Sequence, residues 1–291
     1  MDLLGTVSAL YRYPVKSMQG ETVHSAVLTE RGMLGDRAYA LVDVETGRIG
    51  SAHHPNVWGG LLECGARWDD GEVVVTLPDG ESMHIGAALE ERLSALLNRT
   101  VRFIEQAPEG AQYEFQLADV PDTAPDRFVE YTLGLAGTTT GRLGRLPVGM
   151  NAAPGSLVDV APVHVVTTAS LAALARAGGD ADVRRFRPNI VIDNGDDPVF
   201  DEARLDQEVL GIGESQVRVT MPTMRCLMTT LPQHDVARSK ETLAALARTN
   251  RLEVGPGHWA CLGAYANVTR ESEITIGASV CIVESLSLIH I

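Results

Sequence analysis

Asp69-Asp-Gly-Glu-Val-Val-Val-Thr-Leu-Pro-Asp-Gly80 holds a β-branched run, Val73–Leu77, between two turn signals. Asp-Gly and Pro-Asp-Gly favour the tight backbone of hairpin loops, and a run of four apolar residues around one threonine between them predicts a strand. The same grammar recurs along the chain. Further strands are predicted at Val23–Leu28, Ala38–Val42, Val101–Ile104, Val163–Val166, Ile190–Ile192, Val217–Met221, Ile274–Ile276 and Val280–Val283, with another turn at Glu45-Thr-Gly47. Helical spacing is confined to three segments. Ala87–Leu97 places Leu89, Leu93, Leu96 and Leu97 on one face, with Asn98 as its stop. Leu171–Ala177 lies between hydroxyl residues and Gly178-Gly179, and Glu241–Arg248 follows Ser239 as N-cap. Few helices among many strands exclude the regular alternation of a doubly wound sheet. The expected class is mainly β, a β-barrel or curved sheets with a few peripheral helices, in two intimately packed domains.

The polar, proline-bearing Asp119-Val-Pro-Asp-Thr-Ala-Pro-Asp126 marks the boundary, giving domains at 1–118 and 127–284. Gly134–Gly155 is rich in glycine and reads as a flexible surface loop. The tail Ser285-Leu-Ser-Leu-Ile-His-Ile291 follows a finished strand and receives no function.

A chain of 291 residues with 45% hydrophobic residues has enough material for a substantial core. Its net charge of −14 argues against nucleic acid and against anionic lipid as partners. No signal peptide and no membrane-spanning run is expected, and Cys64, Cys226, Cys261 and Cys281 form no Cys-x-x-Cys pair. The economical location is the cytoplasm.

Against this acidic background, two segments concentrate unusual chemistry. Cys226 lies in Met221-Pro-Thr-Met-Arg-Cys-Leu-Met-Thr-Thr230, beside Arg225 and near Thr223. An adjacent cation lowers a thiol pKa, and the thiolate is the form that attacks electrophiles or binds soft metals. Arg184-Arg-Phe-Arg-Pro-Asn189 packs three arginines before the strand at Ile190. Pro188 is expected to hold Arg187 extended, offering a planar fork for phosphate oxygens. His53-His54 lacks a third ligand and reads as a solvent-exposed loop pair. His234, eight residues after Cys226, allows a cysteine–histidine nucleophile in principle. Gly255-Pro-Gly-His-Trp-Ala260 matches a loose dinucleotide fingerprint but has no long helix behind it.

Tyr13-Pro-Val-Lys-Ser17, Gly35-Asp-Arg37, Arg187-Pro-Asn189, Arg225-Cys226 and Gly263-Ala-Tyr265 occur in that order. Together they resemble the MOSC family of molybdenum-cofactor-binding domains, and the opening third resembles the β-barrel domain that precedes MOSC in the amidoxime-reducing proteins. The resemblance implies that Cys226 ligates molybdenum held by a pterin dithiolene. It implies cofactor contacts from Lys16, Ser17, Arg37, Arg187 and Asn189, with Arg225 and Thr223 near the metal. Thr168 and Ser170 are either cofactor contacts or helix caps, and Tyr265 is either close to the pocket or a core residue. Pyridoxal phosphate is not expected. The implied activity is reduction of N-hydroxylated substrates such as hydroxylamines and amidoximes. The alternative is a cofactor carrier or a sulfur-transfer protein with a persulfide on Cys226. Relatives often carry an acidic residue and proline after the threonine pair, where this chain has Leu231-Pro-Gln-His234. With no cysteine cluster for an iron–sulfur domain, electrons are expected from a separate ferredoxin- or cytochrome-like protein.

Overall fold

Asp70 and Gly71 both adopt left-handed φ, 47° and 85°, so Asp69 and Glu72 face each other across the two-residue turn that the Asp-Gly signal predicted. The computed structural model describes residues 2–119, 122–124, 143–195, 197–255 and 257–283. Residues 134–142 of the glycine-rich zone, half of the connection 119–126 and the tail 285–291 lie outside them. The hairpin joins Gly65–Asp69 to Glu72–Thr76, and the Pro78-Asp-Gly80 turn adds Ser82–His84 as a third strand. The helix Ala87–Leu97 follows and stops at Asn98, whose φ of 51° closes it in the left-handed conformation. Leu89, Leu93 and Leu97 are buried in a core with Val15, Met18, Trp58, Leu61 and Val75. Leu96 does not share that face: it is 43% exposed.

The larger element is a closed barrel of seven strands, in a fold that is 42% strand and 19% helix. Going round, its staves are Val163–Thr167, Ile190–Asp193, Asp2–Arg12, Ser279–Val283, Val209–Ile212, Ser215–Met224 and Gly257–Arg270, which pairs back to Val163–Thr167. Every pairing is antiparallel except Val163–Thr167 with Ile190–Asp193, where the helix Thr168–Arg176 makes the crossover. Leu4, Val7, Leu10, Val165, Ile192, Leu210, Val217, Val219 and Ala266 fill the interior. The stave Asp2–Arg12 comes from the other end of the sequence, so the first residues complete a barrel otherwise built from 163–283. A third core packs the helix Lys240–Thr249 against the outside of the barrel through Leu243, Leu246, Phe186 and Leu262.

Three local expectations are corrected. The run 23–28 is not one strand: Glu21–Val23 pairs with Asp2–Arg12, and after His24 the chain crosses to pair Ser25–Thr29 with Ser272–Thr275. Within the glycine-rich zone, Leu143–Pro147 is a strand paired to Gln112–Gln116, because its backbone meets an open edge there. Arg187 is not extended. Its φ is 53°, and its guanidinium donates to the Met18 carbonyl and lies over Tyr13, contacts that override the extended preference Pro188 imposes.

Candidate functional site

The turn that leaves the stave Asp2–Arg12 meets the entrance of Ile190–Asp193 at one end of the barrel. There Lys16, Arg37, Asp159, His164, Arg187, Asn189 and Tyr265, with Val158, Val160 and Ala161, line a cleft of about 400 Å³. Asn189 fixes the junction. Its side-chain oxygen accepts from the His164 N–H at 3.1 Å and its amide donates to the Tyr11 carbonyl at 3.4 Å, tying together the two strands that flank it.

Three cations converge, all nearly buried. Arg37 and Arg187 both lie over the ring of Tyr13, at 4.5 and 4.3 Å from its centroid. Arg187 donates to the Met18 carbonyl at 2.6 Å, while its other terminal nitrogen, Nη2, is buried without a partner. Burial and the neighbouring Arg37 charge pull the Arg187 pKa down to about 10. Lys16 donates to the Leu157 carbonyl at 3.0 Å and pairs with Asp159. Burial lowers its pKa against the pull of that carboxylate. Ser17, Arg37 and Arg187 all have positive φ, 67°, 43° and 53°. Such backbone costs energy in residues with a Cβ and persists only where surrounding contacts dictate it. Ser17 is fixed by the Ala52 N–H, which donates to its hydroxyl at 3.0 Å.

Cys226 stands one step from the cleft. Its sulfur lies 3.2 Å from His53 Nδ1, and His53 Nε2 lies 3.4 Å from Asp159, which lines the cleft. Burial alone would raise the thiol pKa, but His53, a backbone N–H from Met228 and Arg225 lower it below its ordinary value. Burial opposes a charge on His53, yet Cys226 and Asp159 raise its pKa to about 10. Asp159 would likewise be raised by burial, but Lys16 and His53 hold it well below the usual carboxylate range. The result is a hydrogen-bonded series from sulfur through imidazole and carboxylate to ammonium.

Arg225 supports the site from behind. It donates to the Leu262 carbonyl from Nε at 2.8 Å and from Nη2 at 2.6 Å, and to Phe186 at 3.3 Å. Its Nη2 also lies 2.6 Å from His164 Nε2. A guanidinium only donates, so this imidazole nitrogen accepts and His164 is neutral. Burial and the Arg225 charge push its pKa well below the ordinary histidine value.

The structure thus brings Lys16, Arg37, Arg187, Asn189 and Tyr265 to one cleft, with Ser17, Arg225 and Cys226 around it. Thr223 is buried, its hydroxyl unpartnered, and it does not line the cleft. Thr168 and Ser170 lie outside it as well. The Thr168 hydroxyl is within 3.4 Å of Asp193, Asn194 and Gly195. Ser170 donates its N–H to the cap residue Thr167 and accepts from the Asp201 N–H. Of the arginine cluster only Arg187 reaches the cleft. Arg184 pairs with Asp182 and Asp235, and Arg185 is clamped by Asp180 and the carbonyls of Thr229, Leu231 and Ala237. The His53-His54 reading is overturned, since both imidazoles are mostly covered and His53 is the thiol's partner. His234 is exposed and plays no such role. Asp159 and His53, which connect to Cys226, Tyr113, whose ring packs on His53 at 5.4 Å, and His164, which meets Arg225, are brought to the site only by the fold.

A thiol of lowered pKa, the buried Arg187 guanidinium with its unsatisfied Nη2, the partly buried Arg37 and an ammonium suit a ligand that carries both a soft metal and an anionic group. Among the described residues no group of three His, Cys, Asp or Glu side chains could hold a metal. Those residues also include no helix long and apolar enough to cross a membrane.

The chain is 28% identical over 256 residues to mitochondrial amidoxime reducing component 2 from Macaca fascicularis, covering 84% of this chain and 72% of that protein. It is 30% identical over 254 residues to molybdenum cofactor sulfurase from Drosophila mojavensis, covering 81% of this chain and 29% of the relative. Among solved structures, the YUAD protein from Bacillus subtilis aligns over 95% of this chain and 93% of its own, at 9% identity and a TM-score of 0.42. The MOSC N-terminal beta barrel domain matches residues 4–117 and the MOSC domain matches residues 153–281, and the chain belongs to the MOSC family.

Proposed function

We propose that this chain binds a molybdenum cofactor and reduces N-hydroxylated compounds, hydroxylamines and amidoximes, to amines and amidines. The observation that carries the reading is a thiol of lowered pKa joined through His53 and Asp159 to a cleft walled by Lys16, Arg37 and Arg187. The relatives named above are an amidoxime reducing component and a molybdenum cofactor sulfurase. When bound, the cofactor supplies the two-electron chemistry, so that the substrate oxygen leaves as water with two electrons and two protons.

The protein's own part is binding and orientation. Cys226 offers the thiolate ligand, Arg37 and Arg187 take the anionic end, and Arg225 holds the peptide behind the site. Electrons come from a separate donor protein, and the free state of all four cysteines suits the reducing setting of a cytoplasm.

The test is molybdenum and pterin content of protein purified from a host that makes the cofactor, for wild type and Cys226→Ala. About one molybdenum per chain, lost together with reductase activity in a variant that keeps its fold, is expected. A fully active variant would overturn the assignment. Cyanide-labile sulfur on Cys226, with neither metal nor pterin, would replace it by the sulfur-transfer reading.

A further inference from the structure

Two like charges share a single aromatic ring in this cleft. Tyr13 is 2% exposed, and the Arg37 and Arg187 guanidiniums approach its ring to 4.5 and 4.3 Å. Arg37 also reaches the Arg187 backbone, its Nη2 donating to that carbonyl at 3.4 Å. Side by side, away from water, two guanidiniums repel, and each would gain by swinging out to solvent. A π face offers the negative end of a quadrupole and attracts both.

The ring is itself built in. The Tyr13 N–H donates to Asp36 Oδ1 at 2.8 Å, and Asp36 Oδ2 accepts from Arg37. The Tyr13 carbonyl accepts the Arg37 N–H at 2.7 Å, so backbone and side chain of Arg37 are both referred to this tyrosine. Beside the ring is Gly20, where a Cβ would fall 2.6 Å from Tyr13 Cδ1. The arrangement ends in one unsatisfied group, Nη2 of Arg187, on a residue 5% exposed that lines the cleft.

We propose that Tyr13 is the positioning residue that makes Arg37 and Arg187 a single fork for a phosphate-class anion. The ring holds the two guanidiniums together before the anion arrives, and the anion then supplies the acceptor that Arg187 Nη2 lacks. The inference rests on reading the cleft as the anion-binding part of the cofactor site, and its test does not require a loaded protein.

The measurement is inorganic pyrophosphate binding to the purified full chain by calorimetry at fixed ionic strength, with the unfolding midpoint of each variant recorded beside it. Wild type should bind, Tyr13→Phe should bind within about twofold, and Tyr13→Leu should bind about tenfold more weakly. A pentafluorophenyl ring at position 13, nearly the shape of Phe but with a depleted π face, should also weaken binding at an unchanged midpoint. That last variant decides the matter if Tyr13→Leu does not fold. Equal affinity of the fluorinated and Phe proteins would overturn the role of Tyr13 while leaving the anion site standing. No binding by wild type, nor by any variant, would overturn both the fork and the reading of the cleft.

Discussion

At Cys226 burial raises the thiol pKa, and the charge and hydrogen bond of His53, with smaller help from the Met228 N–H and Arg225, lower it below its ordinary value. His53→Gln should therefore slow alkylation of Cys226 by iodoacetamide at pH 7 by roughly tenfold. An unchanged rate would mean that the imidazole does not tune the sulfur. Asp159 links His53 to Lys16 in the same series. Its pKa is lower in the folded than in the unfolded chain, so the stability it contributes is complete above about pH 4 and is lost as pH falls through the folded value. Asp159→Asn leaves the buried Lys16 ammonium without its carboxylate. It should cost about 2–3 kcal/mol at pH 7, less than a fully buried pair because the carboxylate is partly solvated. Urea unfolding at several pH values should show the gap to wild type narrowing on acidification.

Among the elements, two glycines of similar backbone make opposite demands. Gly71, with φ 85°, turns a hairpin in open space, and Gly263, with φ 79°, bends the stave Gly257–Arg270. A Cβ at Gly263 would fall 2.4 Å from His164 Nε2 and 2.7 Å from the Val165 carbonyl. Gly71→Ala should cost about 1 kcal/mol, the penalty of the left-handed backbone alone. Gly263→Ala should cost about 3 kcal/mol or more, since it also displaces the residues that place Arg225 and His164. Thermal unfolding of the two variants checks the difference. The elements also show what a strand needs in order to be legible. Val73–Leu77, Val101–Ile104 and Ile190–Ile192 were readable because β-branched residues stood between turn signals. Gly257–Arg270 was not. Ala260, Cys261, Leu262, Gly263 and Ala264 are small or unbranched and are buried in succession, so neither alternation nor propensity marks them. Asp2–Arg12 was missed for a related reason. Leu3 and Leu4 sit side by side, one exposed and one buried, and Gly5 is required where a Cβ would fall 2.0 Å from the Asp193 carbonyl.

For the whole molecule, closure of the barrel depends on its earliest residues. Asp2–Arg12 lies between Ile190–Asp193 and Ser279–Val283, and without it both neighbours would expose unpaired edges. A chain lacking residues 1–12 should fail to fold, seen as loss of near-ultraviolet circular dichroism and of a cooperative unfolding transition. A folded, cooperative product would show that 127–284 closes by itself. The same closure carries Tyr13, Lys16 and Ser17 from the end of that stave to the mouth of the cleft.

Residue by residue, the sequence alone determined the mainly β class, the hairpin at Asp70-Gly71 and the helix Ala87–Leu97, and it singled out Lys16, Arg37, Arg187, Asn189 and Cys226 as candidate site residues. These rest on short-range physics, turn chemistry and side-chain periodicity, or on motifs a few residues long. The partnership of Cys226 with His53, the pairing of Lys16 with Asp159 and the stacking of two arginines on Tyr13 were decided only by tertiary structure. Each joins residues from distant parts of the chain, and no local preference specifies which of many histidines, aspartates or tyrosines a closed barrel will bring to its mouth.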